Sequence, residues 1–545
     1  MSLFKKKMLV TCAFPYANGS IHLGHLLEQI QADIWVRYQR LRGHIVWFIC
    51  ADDTHGTAIM MKSRNMGISP EKIIHSVLLE HISDFKSFNI SHDNYYTTHS
   101  SENYYFLKKI YHLLKKKKLI HEKNITQLYD PIEKIFLPDR LIKGVCPKCN
   151  EKNQYGDNCE QCGSIYDSVE LIDPISTISG VKPILRKSMH LFFNLPCFRE
   201  QLYDWMHSSN VLEKKVLNKA KEWFSTELKP WNISRDGPYF GFQIPNYFNK
   251  YFYVWLDAPI GYLSVFKNLC TKNKSICFND FWDVNTTTLL YHFIGKDIIY
   301  FHSLFWPAIL EASGLRKPTK IFVHGYVTVK GLKLSKSKGS AILAKDWLKY
   351  LDSDSLRYYY ASKLSSNIDD IEINVQDLVQ KVNSDIVNKV INLASRTAKI
   401  INKYFNSQLS DKIDDNQLLN IFLDFTKKIE YFLEHREYSE AIRSIMRFAD
   451  MGNKYINTRS PWIILQTKGI VIEVQDICSM GINLFRILMT WLQPIVPNLA
   501  KNTELFLLSK LSWNSINIPL LSHKVAIFKP LYKKLDYNLI KTIFD

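Results

Sequence analysis

The chain has 545 residues and 46% hydrophobic content, enough for several cores and hence for more than one domain. No apolar run reaches the ~18 residues that a membrane-spanning helix needs. Its 70 basic and 52 acidic residues give a net charge of +18, which favours a polyanionic partner such as nucleic acid, although AT-rich codon usage also enriches Lys, Asn, Ile, Tyr and Phe.

Lys5-Lys6-Lys7 and the apolar residues 8–13 imitate a signal peptide. The apolar stretch is too short, and it runs into Pro15, Asn18 and Gly19 without a small-residue cleavage site. The pattern predicts instead a first strand over 8–13 in a cytoplasmic protein. A turn leads to an amphipathic helix over 25–41, and a second strand follows over 45–51. Asp52-Asp53-Thr54-His55-Gly56-Thr57 then precedes further helix. Strand–loop–helix alternation predicts a parallel α/β sheet with ligands at the strand C-termini.

His22-Leu23-Gly24-His25 lies in the first of these turns. Residues three apart share one face of a helical turn. Gly24 permits close backbone approach, and a helix N-terminus favours phosphate. The imidazoles can donate to phosphate oxygens that gain charge during displacement. Nucleotidyltransferases, which direct a similar attack on an α-phosphate, use the same pattern.

From 120 to 234 the pattern changes, as for an inserted module. It holds Cys146-x-x-Cys149 and Cys159-x-x-Cys162, with Pro147, Gly156 and Gly163 permitting tight turns. Two such pairs nine residues apart indicate a tetrahedral Zn²⁺ site. Four thiolates leave no open coordination position, so the zinc is structural. A disulfide or redox pair is the alternative. The other six cysteines read as reduced, buried apolar residues.

The α/β pattern resumes with strands predicted over 251–256, 289–294 and 320–323. Trp255-Leu256-Asp257-Ala258-Pro259-Ile260-Gly261-Tyr262 and Gly295-Lys296-Asp297 accompany them. Next comes Lys333-Leu334-Ser335-Lys336-Ser337, between Gly331 and Gly339. Its ammonium groups can neutralise a leaving pyrophosphate. Residues 325–376 read as a connector. Beyond 377, Gly and Pro become sparse, and Val387, Val390, Ile391 and Ala394 show the i, i+3, i+4 spacing of a helical bundle. Asn392 and Arg396 share a helix face and can hydrogen-bond base edges. Trp462 follows Ser460-Pro461, a helix start that can expose an indole for base stacking.

These motifs, with Ala13-Phe14-Pro15-Tyr16-Ala17-Asn18-Gly19, the segment 392–396 and Ser460-Pro461-Trp462, make the chain resemble the bacterial methionyl type of class I aminoacyl-tRNA synthetases over almost its whole length. The resemblance implies a Rossmann-like parallel sheet split by a zinc-binding insertion, then a connector and an all-α anticodon-binding bundle. Its expected divisions are 1–119 and 235–325 for the catalytic halves, and 120–234 for the insertion, with the zinc knuckle at about 140–170. The stem-contact connector would span 326–387 and the anticodon domain 388–545.

The implied reaction is attack of the L-methionine carboxylate on Mg²⁺-ATP. It gives methionyl-adenylate and pyrophosphate, and methionine then passes to the terminal ribose of initiator and elongator tRNA(Met) with release of AMP. Carried over residue by residue, His22, His25, Lys333 and Lys336 are catalytic. Tyr16, Asn18, Gly24, His25, Gly295, Asp297, His324, Val327 and Lys336 bind ATP. Ala13, Phe14, Tyr16, Asp53, Arg235, Trp255, Ala258, Pro259, Tyr262, Ile298 and His302 bind methionine. Tyr262 and the backbone at Phe14 would meet the sulfur, and Asp53 would hold the α-ammonium and pair with Arg235. Asn392, Arg396 and Trp462 read the CAU anticodon, and Cys146, Cys149, Cys159 and Cys162 hold one zinc.

The chain departs from the family's usual pattern in three motif positions: Phe14 replaces Leu, Leu23 replaces Ile and Leu334 replaces Met. It also stops at Asp545, where many relatives continue into an OB-fold module, so a monomer is expected. Synthetases for Ile, Val, Leu or Cys share the two opening motifs. The first three usually carry a larger editing insertion, and a cysteine enzyme would place zinc in its amino-acid pocket. A catalytically dead tRNA-binding relative is opposed by intact His22, His25, Lys336, Asp53 and Trp255.

Overall fold

The computed structural model of the protein describes residues 5–543, apart from 157, 158, 160, 163, 165, 209, 330 and 334–341. No helix among the described residues is long and apolar enough to cross a membrane.

Five parallel strands form the central sheet: β1 (Lys7–Cys12), β2 (Ile45–Asp52), β3 (Asn94–Thr97), β4 (Leu289–Gly295) and β5 (Lys320–His324). Their spatial order is β5-β4-β1-β2-β3. All neighbours run parallel, with Val10 opposite both Tyr291 and Phe48. β1 is apolar and buried on both faces beyond Lys7, as a sheet covered on both sides requires. The order reverses between β1 and β4, so a crevice opens at the C-terminal ends of these strands. Helix α1 (Leu23–Leu41) leaves β1 and packs its apolar stripe on the sheet.

The insertion lies between β3 and β4. Ile120–Asp130 and Ile184–Phe193 pair antiparallel over ten residues, flanked by Ile135–Phe136 and Trp231–Asn232. The cysteine module is a separate three-stranded sheet of Gln154–Tyr155, Ile142–Val145 and Ile172–Ser176. It has its own small core around Leu128, Ile142, Tyr166 and Leu171.

The strand expected over 251–256 is replaced by two shorter elements. Lys250–Phe252 pairs antiparallel with Ser234–Asp236, and helix α2 (Val254–Lys272) then begins. The amides of Leu256 and Asp257 both donate to the Tyr253 carbonyl, which closes the first helical turn. Pro259 has no N–H for the Trp255 carbonyl four residues back, a cost that interior helical positions rarely bear.

Behind the sheet, helix α3 (Ser353–Lys363) leads to a continuous helical stretch: Val375–Lys381, a π-helical segment Val382–Ile391, and Asn392–Tyr404. No break marks position 387. Further helices (Asn416–Glu434, Tyr438–Arg459) pack around Ile472–Leu492, which is buried on every face from Asp476 onward. The final segment is largely non-helical and wraps back. Ser522 donates to the Ser410 carbonyl, and Asn383 exchanges two hydrogen bonds with the Leu535 backbone. Sheet and bundle share one continuous hydrophobic core.

Candidate active site and anticodon patch

The sequence-predicted ligand residues cluster at strand C-termini. Ala13 to His25 follow β1, Asp53 to Gly56 follow β2, Lys296 to His302 follow β4, and Gly325 to Val327 follow β5.

His22 caps α1. Its Nδ1 accepts from Gly24 N at 3.0 Å, and His25 Nδ1 accepts from His22 N at 3.3 Å. Backbone N–H groups only donate, so each neutral ring carries its proton on Nε2. The rings stack with centroids 3.8 Å apart, brought together by these reciprocal caps, with His22 extended and His25 inside the helix. Leu23 N donates to Ile342 O at 3.0 Å, and Ala344 N donates to Ile21 O at 2.9 Å. The chain leaving the lysine loop is thus stitched to the histidine turn. Lys333 pairs with Thr328 in a hairpin at the other end of that loop. Lys336 lies outside the described residues.

Asp297 Oδ1 lies 2.9 Å from where a Gly295 Cβ would stand, so this position admits only glycine without movement. His324 donates from Nδ1 to Gly325 O at 2.7 Å and meets Glu28 of α1 through Nε2 at 3.1 Å. Burial pulls the His324 pKa down most strongly, but the hydrogen bond and charge of Glu28, the Gly325 carbonyl and Asp297 together outweigh it and hold the imidazole above its ordinary value.

Three of the expected methionine residues lie in two aromatic pairs. The Phe14 ring meets Tyr262 edge-on at 4.7 Å, and Trp255 stacks on Phe301 at 3.9 Å with 6° between planes. His302 donates from Nδ1 to Ile298 O at 3.1 Å, so its Nε2 accepts from the Tyr262 hydroxyl at 2.9 Å. Burial lowers the His302 pKa to about 4, keeping that ring neutral. His302 sits in a π-helical turn, Phe301–Phe305, a distortion frequent at functional sites. Ala258 and Pro259 are buried beside these rings in α2. Asp53 is packed among carboxylates: burial first, and then Asp257, push its pKa well above the usual range.

The expected Asp53–Arg235 pair is not among the ion pairs of the described residues. Arg235 instead donates to Ser234 O at 2.7 Å and lies 3.5 Å over the Tyr253 ring. Packing on an aromatic face leaves the guanidinium turned to its own strand rather than to Asp53.

Several residues of this region escaped sequence reading. Phe301 backs Trp255. His292 lies under Tyr262 at 4.8 Å, accepts from Trp306 Nε1 at 3.2 Å and contacts Thr11. Asp257 accepts from Asn103 and His55, and His55 in turn meets His99 at 2.9 Å. A histidine inside an apolar strand and the aromatic run Tyr300–Phe301 were the available signals; the partners are remote in sequence.

In the bundle, Arg396 lies 4.5 Å over the Trp462 ring and donates to Asn457 Oδ1 at 2.6 Å. Asn392 meets Asn453 Oδ1 at 3.4 Å. The three expected anticodon residues therefore form one partly exposed patch.

The four cysteine sulfurs lie within 4.8 Å of one another. Cys146–Cys162 and Cys149–Cys159 are 3.9 and 3.5 Å apart. A tetrahedral zinc with Zn–S bonds of about 2.3 Å needs sulfurs about 3.8 Å apart, so the donor set fits one ion. The Lys148 and Cys149 amides point at Cys146 Sγ, and the Cys162 amide points at Cys159 Sγ, as in thiolate-stabilising turns.

A histidine-capped helix at the reversal point of a parallel sheet, with a helical bundle behind it, defines the class I aminoacyl-tRNA synthetase architecture. The Mycobacterium tuberculosis methionyl-tRNA synthetase in complex with methionyl-adenylate has this fold, with a TM-score of 0.80 at 20% identity over 97% of this chain and 99% of that one. Its apo form gives 0.73 at 19% identity, covering 98% and 99%.

Sequence narrows the class. A family model described as tRNA synthetases class I (M) matches residues 8–398. The methionine–tRNA ligase of Buchnera aphidicola subsp. Acyrthosiphon pisum (strain Tuc7) is 61% identical over 536 residues, covering 98% of each chain. That of Buchnera aphidicola subsp. Baizongia pistaciae is 59% identical over 537 residues, again 98% of each. The chain belongs to the methionine family of class I tRNA synthetases.

Proposed function

We propose that the chain is a methionine–tRNA ligase that activates L-methionine with ATP and charges initiator and elongator tRNA(Met). The observation that carries this reading is the stitching of the histidine turn to the end of the lysine loop at the sheet's reversal point. No protein nucleophile is needed. Asp53 holds the methionine ammonium, and the rings of Phe14, Trp255, Phe301 and Tyr262 enclose the thioether. The carboxylate attacks the α-phosphate of ATP in line, which forms the acyl–phosphate bond and expels pyrophosphate.

His22 and His25, each protonated on Nε2, donate to phosphate oxygens as charge builds there. Lys333 and Lys336 neutralise the pyrophosphate. Tyr16, Asn18, Gly24, Asp297, His324 and Val327 hold the nucleotide, and Mg²⁺ arrives with ATP. The tRNA ribose hydroxyl then takes the methionyl group and AMP leaves.

Ala13, Ala258, Pro259, Ile298 and His302 complete the amino-acid pocket. Arg235 acts near it through Tyr253 and its own strand. Asn392, Arg396 and Trp462 read the anticodon by hydrogen bonding and stacking. One Zn²⁺ on the four cysteines holds the inserted module. The protein works as a cytoplasmic monomer; its ten unpaired cysteines suit a reducing compartment. Methionine-dependent ATP–pyrophosphate exchange tests the first step.

A further inference from the structure

Two buried polar atoms near the end of β2, Asp53 Oδ1 and the Tyr239 hydroxyl, have no hydrogen-bonding partner in the protein. They are two of twenty such atoms among the described residues; what sets them apart is that both lie at one loop junction at the end of β2, where a shared ligand could satisfy them.

The neighbourhood is fixed by Gly56. Its φ is +125°, and a Cβ there would stand 2.8 Å from the Tyr16 hydroxyl and 3.8 Å from the Tyr239 hydroxyl. Gly56 N donates to Phe240 O at 2.8 Å, which ties the Tyr239 loop to the β2 end. Asp53 N donates to Pro15 O at 2.9 Å, and Ala17 N donates to Asp53 O at 2.8 Å, so Tyr16 lies alongside Asp53. The Tyr239 ring packs on Tyr251 with centroids 5.8 Å apart.

The chemistry around the hydroxyl is anionic on one side. Asp53 and Asp257 act on it electrostatically, opposed by Arg235. Burial pushes its pKa well above the ordinary tyrosine value, so it stays a neutral O–H with two lone pairs. A bound ammonium would favour the ionised form of Asp53, countering the burial and the Asp257 charge that raise its pKa, whereas a carboxylate or phosphate would raise it further. A small cation with several N–H donors can use both orphans, one lone pair from each.

We propose that Tyr239 is a further substrate-binding residue, accepting a hydrogen bond from the α-ammonium group whose charge Asp53 neutralises. This rests on the reading of the site as an amino-acid pocket. It adds a neutral acceptor that orients the ammonium, where the carboxylate alone supplies only attraction.

The test compares wild-type protein and Tyr239→Phe, which keeps the ring and removes the oxygen. Calorimetric titration is run with L-methionine and with 4-(methylthio)butanoate, which lacks the amino group. Melting without ligand is measured as well. The variant is expected to bind methionine roughly ten- to a hundredfold more weakly. It should bind the amine-free analogue as wild type does and melt no lower, because an orphaned oxygen has gone. Equal methionine binding by the two proteins overturns the proposal. So does an equal loss for methionine and the analogue, which would mark a packing role. Failure of the wild type to bind methionine would instead overturn the functional reading beneath it.

Discussion

Gly261 stands inside α2, where glycine costs roughly 1 kcal/mol relative to alanine. Its reason is the neighbouring ring: a Cβ there would lie 2.6 Å from Phe14 Cε2 and 3.1 Å from Thr98 Cγ2. Phe14 is partly exposed and can yield only towards its open side. Its edge touches Tyr262, so displacing it disturbs the wall on which His292 and His302 also bear. Gly261→Ala is therefore expected to overpack the Phe14–Tyr262 pair by about 1–3 kcal/mol. Steady-state exchange kinetics should show a raised methionine KM with ATP KM unchanged. Adding Phe14→Leu, which shrinks the side chain but keeps an apolar wall, should relieve the effect. A single variant with wild-type methionine KM would show that the ring has room that the geometry denies it.

At the scale of elements, the sequence was most legible where information is local. The CxxC spacing points to the four clustered cysteines because each pair closes its own turn. The three-residue histidine spacing does bring the two rings together, but as the N-cap and third residue of α1 rather than on one helical face, because His22 is extended. The run Tyr251 to Leu256 misled because aromatic and β-branched residues favour strands. Tertiary contacts decided otherwise: Asp257 is held by His55 and Asn103, far away in sequence, which fixes the α2 start. The π-turn that aims His302 left no local signal either. The antiparallel pairing within the insertion was not foreseen, since its strand Ile120–Asp130 is largely exposed and polar. The cysteine module gives the element-scale prediction. Elemental analysis should find one zinc per chain. Chelation should remove hydrogen-exchange protection from 142–176 while leaving that of β1 and β2 in place. Melting of the central sheet together with the module would contradict an independent module.

At the scale of the whole molecule, the sheet and the bundle are joined by buried charge as well as by a shared core. Arg357 of α3 is fully buried and lies 2.7 Å from Asp33 of α1. It also donates to Ile495 O at 2.9 Å, Pro494 O at 3.0 Å and Phe88 O at 3.3 Å. Burial pushes the Asp33 pKa upward, but Arg37 and Arg357 outweigh it and hold the carboxylate well below its usual range. One guanidinium thus ties the helix that begins at His22 and His25 to the bundle carrying Arg396 and Trp462. Arg357→Leu leaves Arg37 as the remaining cation beside Asp33, which Ser91 also hydrogen-bonds, and orphans three carbonyls. It should cost about 3–5 kcal/mol in urea unfolding. A loss under about 1 kcal/mol would mean that the shared core alone fixes the two parts.

The central claim is that this cleft selects methionine and joins it to AMP. ATP–pyrophosphate exchange on the purified protein, run in parallel with methionine, isoleucine, valine, leucine and cysteine, tests it most directly. The expected result is exchange with methionine far above that with the other four. Exchange driven by another amino acid, or by none, would contradict it.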